Sequence, residues 1–178
     1  MNRRIFLKLL AVLLGESSFP IIAGADPSSA NMNNIDIDTW TLALPKDWVL
    51  DKKESIGIPY FESTDGTKGS YIKSLRLPPT NKLTPAEAAM NIQRVHRQSF
   101  EKDPKSSWRV MRDENLNHEA LAASLLDLFD KKNNYRVVSK VLVSGEVAVQ
   151  LTLHDYYCQD YEASVRLLSP VIESLRPR

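Results

Sequence analysis

Cysteine is almost absent from this chain of 178 residues, in which Cys158 is the only one. A single thiol cannot form an internal disulfide, so in an oxidising compartment the fold must depend on its hydrophobic core. Cys158 is therefore either a buried small apolar side chain or a reactive thiol. We expect burial, because free cysteine is among the most buried residue types.

Glycine and histidine are also scarce, and their scarcity argues against several kinds of functional site. No two of the four glycines beyond residue 25 have the spacing of a phosphate-binding loop. The stretch from His118 to Ala122 begins like a zinc-protease helix, but Ala122 stands where the second histidine ligand is required. No Gly-x-Ser-x-Gly motif occurs, which disfavours a serine hydrolase.

The chain lacks an apolar run long enough to cross a bilayer, which takes roughly 20 residues. Its longest apolar segment, residues 5–14, instead follows a basic pair, Arg3 and Arg4, and precedes the small residues Ala23-Gly24-Ala25. This order is that of a secretory signal peptide over residues 1–25. We therefore expect a periplasmic or secreted protein without stable membrane insertion after cleavage.

The start of this segment also resembles a twin-arginine export motif. The sequence Arg3-Arg4-Ile5-Phe6-Leu7-Lys8 has the arginine pair, Phe, Leu and Lys in register, but Asn2 stands where Ser or Thr is usual. Both the twin-arginine route and the general export route remain open. No cysteine follows the apolar run, so the signal is not of the lipoprotein kind.

Excess positive charge is absent as well. The net charge is +1 for the full chain, and removing the signal takes away three basic residues and one acidic residue, which leaves −1. A nucleic-acid-binding protein needs a concentrated positive face for the phosphates. The composition therefore argues against nucleic acid as a partner.

The most regular part of the chain is a hairpin followed by a helix. Residues 136–143 and 147–153 are alternating, β-branched runs separated only by Ser144-Gly145-Glu146, which predicts an antiparallel hairpin. Beyond them, apolar residues recur at helical spacing and predict a helix that packs on a sheet. These are Tyr161, Val165, Leu168, Ile172 and Leu175. Pro170 is expected to kink this helix without ending it.

The preceding residues predict further strands and one more helix. After a flexible leader over residues 26–34, we expect a strand over 35–44 with an irregularity near Thr39, and short strands at 49–50, 56–62 and 70–77. Thr84-Pro85-Ala86-Glu87 predicts a capping box at the start of a helix. Its expected buried face contains Ala88, Ile92 and Val95, with Ala89, His96 and Phe100 as further candidates. Strands are expected at 108–112 and 120–129, a helix being the alternative for the second.

Three of these features together resemble the PsbP-like superfamily, which includes PsbP, Mog and DcrB-like proteins. They are the stretch Leu44-Pro45-Lys46-Asp47-Trp48, the middle helix followed by a strand meander, and the closing Ile172-Glu173-Ser174-Leu175. The resemblance covers a single domain, residues 35–178. It implies an α+β fold, an antiparallel β-sheet flanked by helices on both faces, and an accessory protein that binds other proteins. It implies no shared catalytic residues.

The cluster from His154 to Tyr161 is the candidate partner-binding site. We assign partner contacts to Asp155, Tyr156, Tyr157 and Asp160, because tyrosine offers a large contact area and carboxylates can guide a basic partner. In the alternative interpretation Asp160 caps the last helix and Tyr161 packs on the sheet. Asp155 and Asp160 are too few carboxylates for a Ca²⁺ site. We therefore expect no metal and no cofactor.

The sequence leads to three hypotheses about function. The first is a non-enzymatic periplasmic protein-binding module, for example an immunity or inhibitor protein against a toxin that attacks the cell envelope. The second is a DcrB-like accessory or stress factor of the envelope. The third is a small metal-binding protein or hydrolase, whose site would assemble from His96, His118 or His154 with acidic residues.

Overall fold

Two antiparallel sheets and two helices form the computed structural model, which describes residues 31–51, 58–78, 83–102, 107–118 and 121–178. The first five strands precede the first helix, and four long strands separate the two helices. In chain order the elements are β1 Met32–Ile37, β2 Trp40–Pro45, β3 Trp48–Leu50, β4 Tyr60–Ser63, β5 Lys68–Arg76, α1 Pro85–Glu101, β6 Trp108–His118, β7 Leu121–Asp130, β8 Tyr135–Ser144, β9 Val147–Asp155, α2 Tyr161–Ser174 and β10 Arg176–Pro177.

The main sheet has seven strands in the order β3-β4-β5-β9-β8-β7-β6. The predicted hairpin is confirmed as β8 and β9, which pair from Arg136 opposite Asp155 to Ser144 opposite Val147. Gly145 lies in the turn with φ of 57°, a left-handed conformation that glycine adopts without steric cost. The strand predicted over residues 120–129 is also confirmed, as β7, whose residues from Ala122 onward pair with β8.

The helices pack on opposite faces of this sheet. Alternate residues of a strand point to opposite faces, so β8 contributes side chains to the cores under both helices. Val138 and Leu142 join the core on the α2 side, while Val141 and Val143 join the core beneath α1. The predicted fold class, an antiparallel sheet with helices on both faces, is therefore confirmed.

A second, smaller sheet corrects the prediction of one strand over residues 35–44. The irregularity near Thr39 is a chain reversal: β1 and β2 are antiparallel, and Ile37 pairs with Trp40. Asp38 adopts φ of 51°, which a short polar side chain tolerates, so a two-residue turn forms there. Strand β10 pairs with the other edge of β2 and completes the order β1-β2-β10. Strand β1 begins at Met32, inside the segment expected to be a leader.

The larger core lies between the main sheet, the small sheet and α2. Strand β2 contributes Trp40, Leu42 and Leu44, each 1% exposed. Helix α2 contributes Leu168, Val171 and Ile172, and it runs through Pro170 to Ser174. The core under α1 is smaller and rich in alanine. It contains Ala88, Ala89, Ala122, Val141, Val143 and Ala148.

Helix α1 begins as predicted, and its buried face contains Ala88 and Ala89 as expected, with Ile92 packed against the same core. The capping box between Thr84 and Glu87 is present in full. Val95, however, is 57% exposed, so its predicted burial is wrong. Gln93 is buried in its place and donates from Nε2 to the carbonyl oxygen of Ser139 at 2.9 Å. A polar side chain can occupy the buried face because β8 offers it a hydrogen-bond partner there.

The strand predicted over residues 56–62 is shorter in the structure. Strand β4 begins at Tyr60, and residues 56 and 57 lie outside the described residues. Strand β4 pairs antiparallel with β5, so this strand and the next form a hairpin. The predicted signal peptide also lies outside the described residues.

Candidate functional site

Three loops meet at one end of the main sheet: the β4–β5 turn (residues 64–67), the β7–β8 turn (131–134) and the β9–α2 loop (156–160). We call them together the loop surface. The backbone N–H of Tyr156 donates to the carbonyl oxygen of Thr67 at 2.9 Å, and that of Cys158 donates to the carbonyl oxygen of Asn134 at 2.7 Å. The β9–α2 loop is thus tied by backbone hydrogen bonds to both neighbouring turns.

The β4–β5 turn is organised by the carboxylate of Asp65. Its Oδ1 accepts hydrogen bonds from Ser63 Oγ at 2.6 Å, Thr67 N at 2.9 Å and Thr67 Oγ1 at 2.8 Å. Partial burial acts to raise the pKa of Asp65, but these hydrogen bonds outweigh it and the pKa is lowered. Asp65 is exposed and carries its negative charge at neutral pH.

The β7–β8 turn is organised in the same way by Asp130. Its Oδ1 accepts from Ser107 Oγ at 2.6 Å and from the backbone N–H groups of Lys132 and Asn133 at 3.0 and 3.2 Å. Burial again acts to raise the pKa of Asp130, and the hydrogen bonds lower it. Each of the two turns bonded to the β9–α2 loop is therefore stabilised by hydrogen bonds to one carboxylate, that of Asp65 or that of Asp130.

The four residues predicted to contact a partner have different surroundings. Asp155 is 3% exposed and lies 3.8 Å from Lys68 Nζ. Asp160 is exposed, and its Oδ1 accepts from Ala163 N at 3.1 Å, which caps α2. Tyr156 is half-buried, while Tyr157 is 46% exposed. Of these four residues, only Tyr157 and Asp160 have side chains that are exposed to solvent.

Tyr156 belongs to a row of aromatic rings on the α1 side of the main sheet. Its ring stacks on His154 with centroids 5.6 Å apart, and its hydroxyl lies 3.2 Å from that of Tyr60. Tyr135 stacks on both Tyr156 and His154, and its hydroxyl lies 2.6 Å from His154 Nδ1. No local pattern in the sequence indicates this row of rings, because its members come from β4, β8, β9 and a loop. The order of residues indicated only the cluster from His154 to Tyr161, without its contacts to Tyr60 and Tyr135.

On the α2 side of the sheet, the same end contains a buried polar network. Arg136 donates to both oxygens of Asp127 at 3.0 and 2.7 Å and to Ser164 Oγ at 3.1 Å. Tyr161 donates to Asp127 at 2.9 Å, and burial followed by the Asp127 charge raises the pKa of Tyr161 to about 12. This contact places Tyr161 on the sheet. The network fixes the start of α2 beneath the loop surface.

Cys158 is buried with 1% exposure, as expected for an apolar-like cysteine. Burial raises the pKa of its thiol, so the thiol is protonated at neutral pH. A cavity of about 200 Å³ lies beside it, between the β9–α2 loop and the first turns of α2. Lys68 and Asp155 both line this cavity. The ammonium group of Lys68 lies beside the Asp155 carboxylate, which disfavours binding of a metal cation by that carboxylate.

The three histidines occupy different elements. His96 lies on α1 against the edge of Phe100, His118 is the last residue of β6, and His154 lies on β9. His118 ends β6 and Ala122 lies in β7, so the described residues of the stretch considered as a zinc-protease helix are in strands. Within the described residues, no group of three or more His, Cys, Asp or Glu side chains is placed to hold a metal ion.

Neither helix in the described part of the chain is long and apolar enough to span a membrane. Both helices instead pack on the main sheet, one on each face.

Comparison with known proteins supports the fold. No protein-family model matches the sequence, and no curated protein matches it. The structure is similar to the solution structure of cyanobacterial PsbP (CyanoP) from Synechocystis sp. PCC 6803, with a TM-score of 0.63, 13% identity, and coverage of 90% of this chain and 100% of that one. The PsbP-like fold expected from the sequence is confirmed.

Two further solved structures match with lower TM-scores. One is a protein of Bacteroides thetaiotaomicron VPI-5482, with a TM-score of 0.49, 12% identity, and coverage of 79% of this chain and 45% of that one. The other is a Pseudomonas aeruginosa protein of unknown function, with a TM-score of 0.44, 15% identity, and coverage of 83% of this chain and 98% of that one.

Proposed function

We propose that this protein is an exported, non-enzymatic module that binds a protein partner through the loop surface. The observation that carries the proposal is Tyr157, a large side chain that is 46% exposed on a loop tied to both of its neighbours. The PsbP-like fold supports the class of function, since the fold is compatible with an accessory role. Fold likeness by itself does not identify a partner.

A loop held in this way is suited to binding. Because its backbone is already tied to Thr67 and Asn134, little conformational entropy is lost when a partner docks. Tyrosine is among the residues that most often dominate binding energy at interfaces. Asp65 and Asp160 are exposed on the same surface and would favour a partner that presents basic residues near its contact.

The proposal is tested by recovering the partner with matched variants. The full chain carrying a C-terminal tag is produced in its host, and bound proteins are recovered from the envelope fraction. We expect the wild-type protein to recover one partner protein at a fixed molar ratio. The Tyr157→Ala variant should recover at least 10-fold less of this partner, and the Val95→Ala variant should recover the same amount. Val95 is a suitable control because it is a large apolar residue that is 57% exposed and lies on α1.

Equal recovery with the wild type and both variants would contradict docking at the loop surface. A tightly bound metal in the purified protein, with no protein partner, would favour the metal-binding alternative instead. Elemental analysis of the protein purified without chelators distinguishes these results.

As the specific role, we propose an immunity or inhibitor protein against a toxin that targets the cell envelope. Such a role requires export, a stable small scaffold and one complementary face. Cells that produce the protein should survive the toxin encoded beside it, and Tyr157→Ala should reduce survival. Sensitivity equal to that of unprotected cells would instead favour the DcrB-like accessory role, for which loss of the gene should cause envelope stress without any toxin.

Export itself is part of the proposal and has its own test. Cell fractionation should find the protein in the periplasm or the medium, beginning at Asp26. An Arg3→Lys, Arg4→Lys double variant separates the two routes. Accumulation of its precursor in the cytoplasm would identify the twin-arginine route, and normal export would identify the general route.

A further inference from the structure

A crevice between α1 and the edge strand β6 has the chemistry of a small anion-binding site. Its volume is about 250 Å³, below the roughly 300–1,000 Å³ of sites for drug-sized ligands. It contains none of the residues of the loop surface. The crevice is lined by Met90, Gln93, Arg94, Arg97, Asp113, Asn115, Ser124 and Leu126.

The floor of the crevice is buried and combines a polar group with an apolar one. Ser124 and Leu126 project from β7, and each is 1% exposed. Ser124 supplies the polar group of this floor and Leu126 the apolar one. Gln93 forms one wall, and its amide is held by Ser139 through Nε2 to O at 2.9 Å and Oγ to Oε1 at 3.3 Å. The Gln93 side chain is therefore held in one position where a ligand would contact it.

Two arginines one helical turn apart line the crevice, and they differ in how their charges are compensated. Arg97 donates to Glu101 at 2.7 Å and to Asp113 at 2.9 Å, and these contacts raise its pKa. Arg94 makes one side-chain hydrogen bond in the part of the chain that the structure describes, from Nη2 to Asn91 Oδ1 at 2.7 Å. A guanidinium has five N–H donors, so Arg94 retains several for a ligand.

The charge of the lining selects a monoanion. Asp113 and Glu101 compensate Arg97, which leaves Arg94 as the lining cation that hydrogen-bonds no carboxylate within the described residues. A dianion would place surplus negative charge beside Asp113. The planar fork of a guanidinium matches a carboxylate in a bidentate geometry, and Met90 and Leu126 offer apolar contact for a carbon chain.

We propose that this crevice binds a carboxylate carried on a short aliphatic stem, with Arg94 as its charge partner. The carboxylate belongs either to a free small acid or to a glutamate side chain of a bound peptide. The site is independent of the loop surface.

The proposal is tested by titrating the ¹⁵N-labelled protein with butanoate, butanamide and inorganic phosphate. We expect butanoate to cause saturable shifts in the NMR signals of the Arg94 Nε–H and the Asn115 backbone amide. Butanamide should cause none at the same concentration, and phosphate should bind at least 10-fold more weakly. Arg94→Gln should weaken butanoate binding at least 10-fold. Arg112→Gln should leave it unchanged, because Arg112 pairs with Glu114 and does not line the crevice.

A second pair of probes identifies the source of the carboxylate. If a peptide is the natural ligand, acetyl-Ala-Glu-Ala-amide should bind more tightly than butanoate, and its Gln counterpart should not bind. If a free acid is the ligand, butanoate should bind more tightly than the peptide. The proposal is overturned if neither probe gives saturable shifts, if the shifts survive Arg94→Gln, or if phosphate binds as tightly as butanoate.

Discussion

The pair formed by Asp127 and Arg136 is the most deeply buried charge pair in the described residues. The side chains are 0% and 3% exposed, and two hydrogen bonds join them. In the sequence, Arg136 opens an apolar, alternating run, and nothing there marks it as buried. Its burial follows from the position of α2, which covers this part of the sheet and brings Ser164 and Tyr161 against the pair.

Removing one member of this pair should be costly. Asp127→Ala leaves a guanidinium buried without its carboxylate, and we expect the free energy of unfolding to fall by about 3–5 kcal/mol. The double variant Asp127→Leu, Arg136→Met should lose less than the single variant, because neither charge remains. Urea unfolding monitored by circular dichroism measures both. A single variant as stable as the double variant would mean that solvent reaches Arg136.

His96 should make stability depend on pH. Burial lowers its pKa from 6.5 to about 4, and its Nε2 has no hydrogen-bond partner within the described residues. Between pH 4 and 6.5 the unfolded chain therefore binds a proton that the folded protein does not. Stability should fall as the pH falls through this window, by at most about 1.4 kcal/mol per pH unit.

The measurement for His96 compares the wild type with His96→Phe by urea unfolding at several pH values. The difference between their unfolding free energies should be nearly constant above pH 6.5 and should shift in favour of the variant from pH 6.5 to 4. A difference that does not change with pH would mean that the His96 ring is hydrated.

At the scale of elements, the periodicity of α2 identified its buried face well. Leu168 is 1% exposed and Ile172 is 8% exposed, as the spacing predicts. The same reasoning was wrong for Val95 on α1. At Leu168 and Ile172, helix α2 packs on the apolar residues of the larger core, where hydrophobicity is a sufficient guide. Helix α1 packs on its alanine-rich core and also crosses a polar position of β8, where Gln93 and Ser139 bond to each other.

Two substitutions compare these helix faces directly. Leu168→Ala should lower the free energy of unfolding by about 2–5 kcal/mol, because it leaves a cavity in the larger core. Val95→Ala should change it by less than about 0.5 kcal/mol, because the side chain is in solvent. Thermal and urea unfolding measure both. A near-neutral Leu168→Ala would show that α2 does not cover the sheet at this position.

For the whole molecule, two of the three features behind the resemblance lie where the two sheets join. The stretch from Leu44 to Trp48 crosses from β2 of the small sheet to β3 of the main sheet, and both of these end residues lie in the larger core. At the end of α2, Ser174 Oγ accepts from Ala43 N at 2.9 Å and lies 2.7 Å from the Val171 carbonyl oxygen. These two motifs therefore hold the sheets together.

Ser174→Ala should loosen the contact between α2 and the small sheet. It leaves the N–H of Ala43 without its acceptor, and we expect a loss of about 1–2 kcal/mol. Hydrogen exchange should accelerate at Ala43, while the amides of β8 and β9 exchange more slowly and change less. Equal acceleration across both sheets would mean that they unfold as one unit.

The sequence by itself determined the hairpin, both helices and most strands, because these follow from local periodicity and turn chemistry. The fold class, with helices on both faces of the sheet, was implied by the resemblance to the PsbP-like superfamily. The sequence also located the β9–α2 loop and the capping role of Asp160. Only the tertiary structure decided which of the predicted contact residues are exposed, because burial depends on which loops from distant parts of the chain cover them. The same holds for the small sheet, the aromatic row and the crevice beside Arg94. Each of them is made by residues from separate elements whose meeting no local pattern encodes.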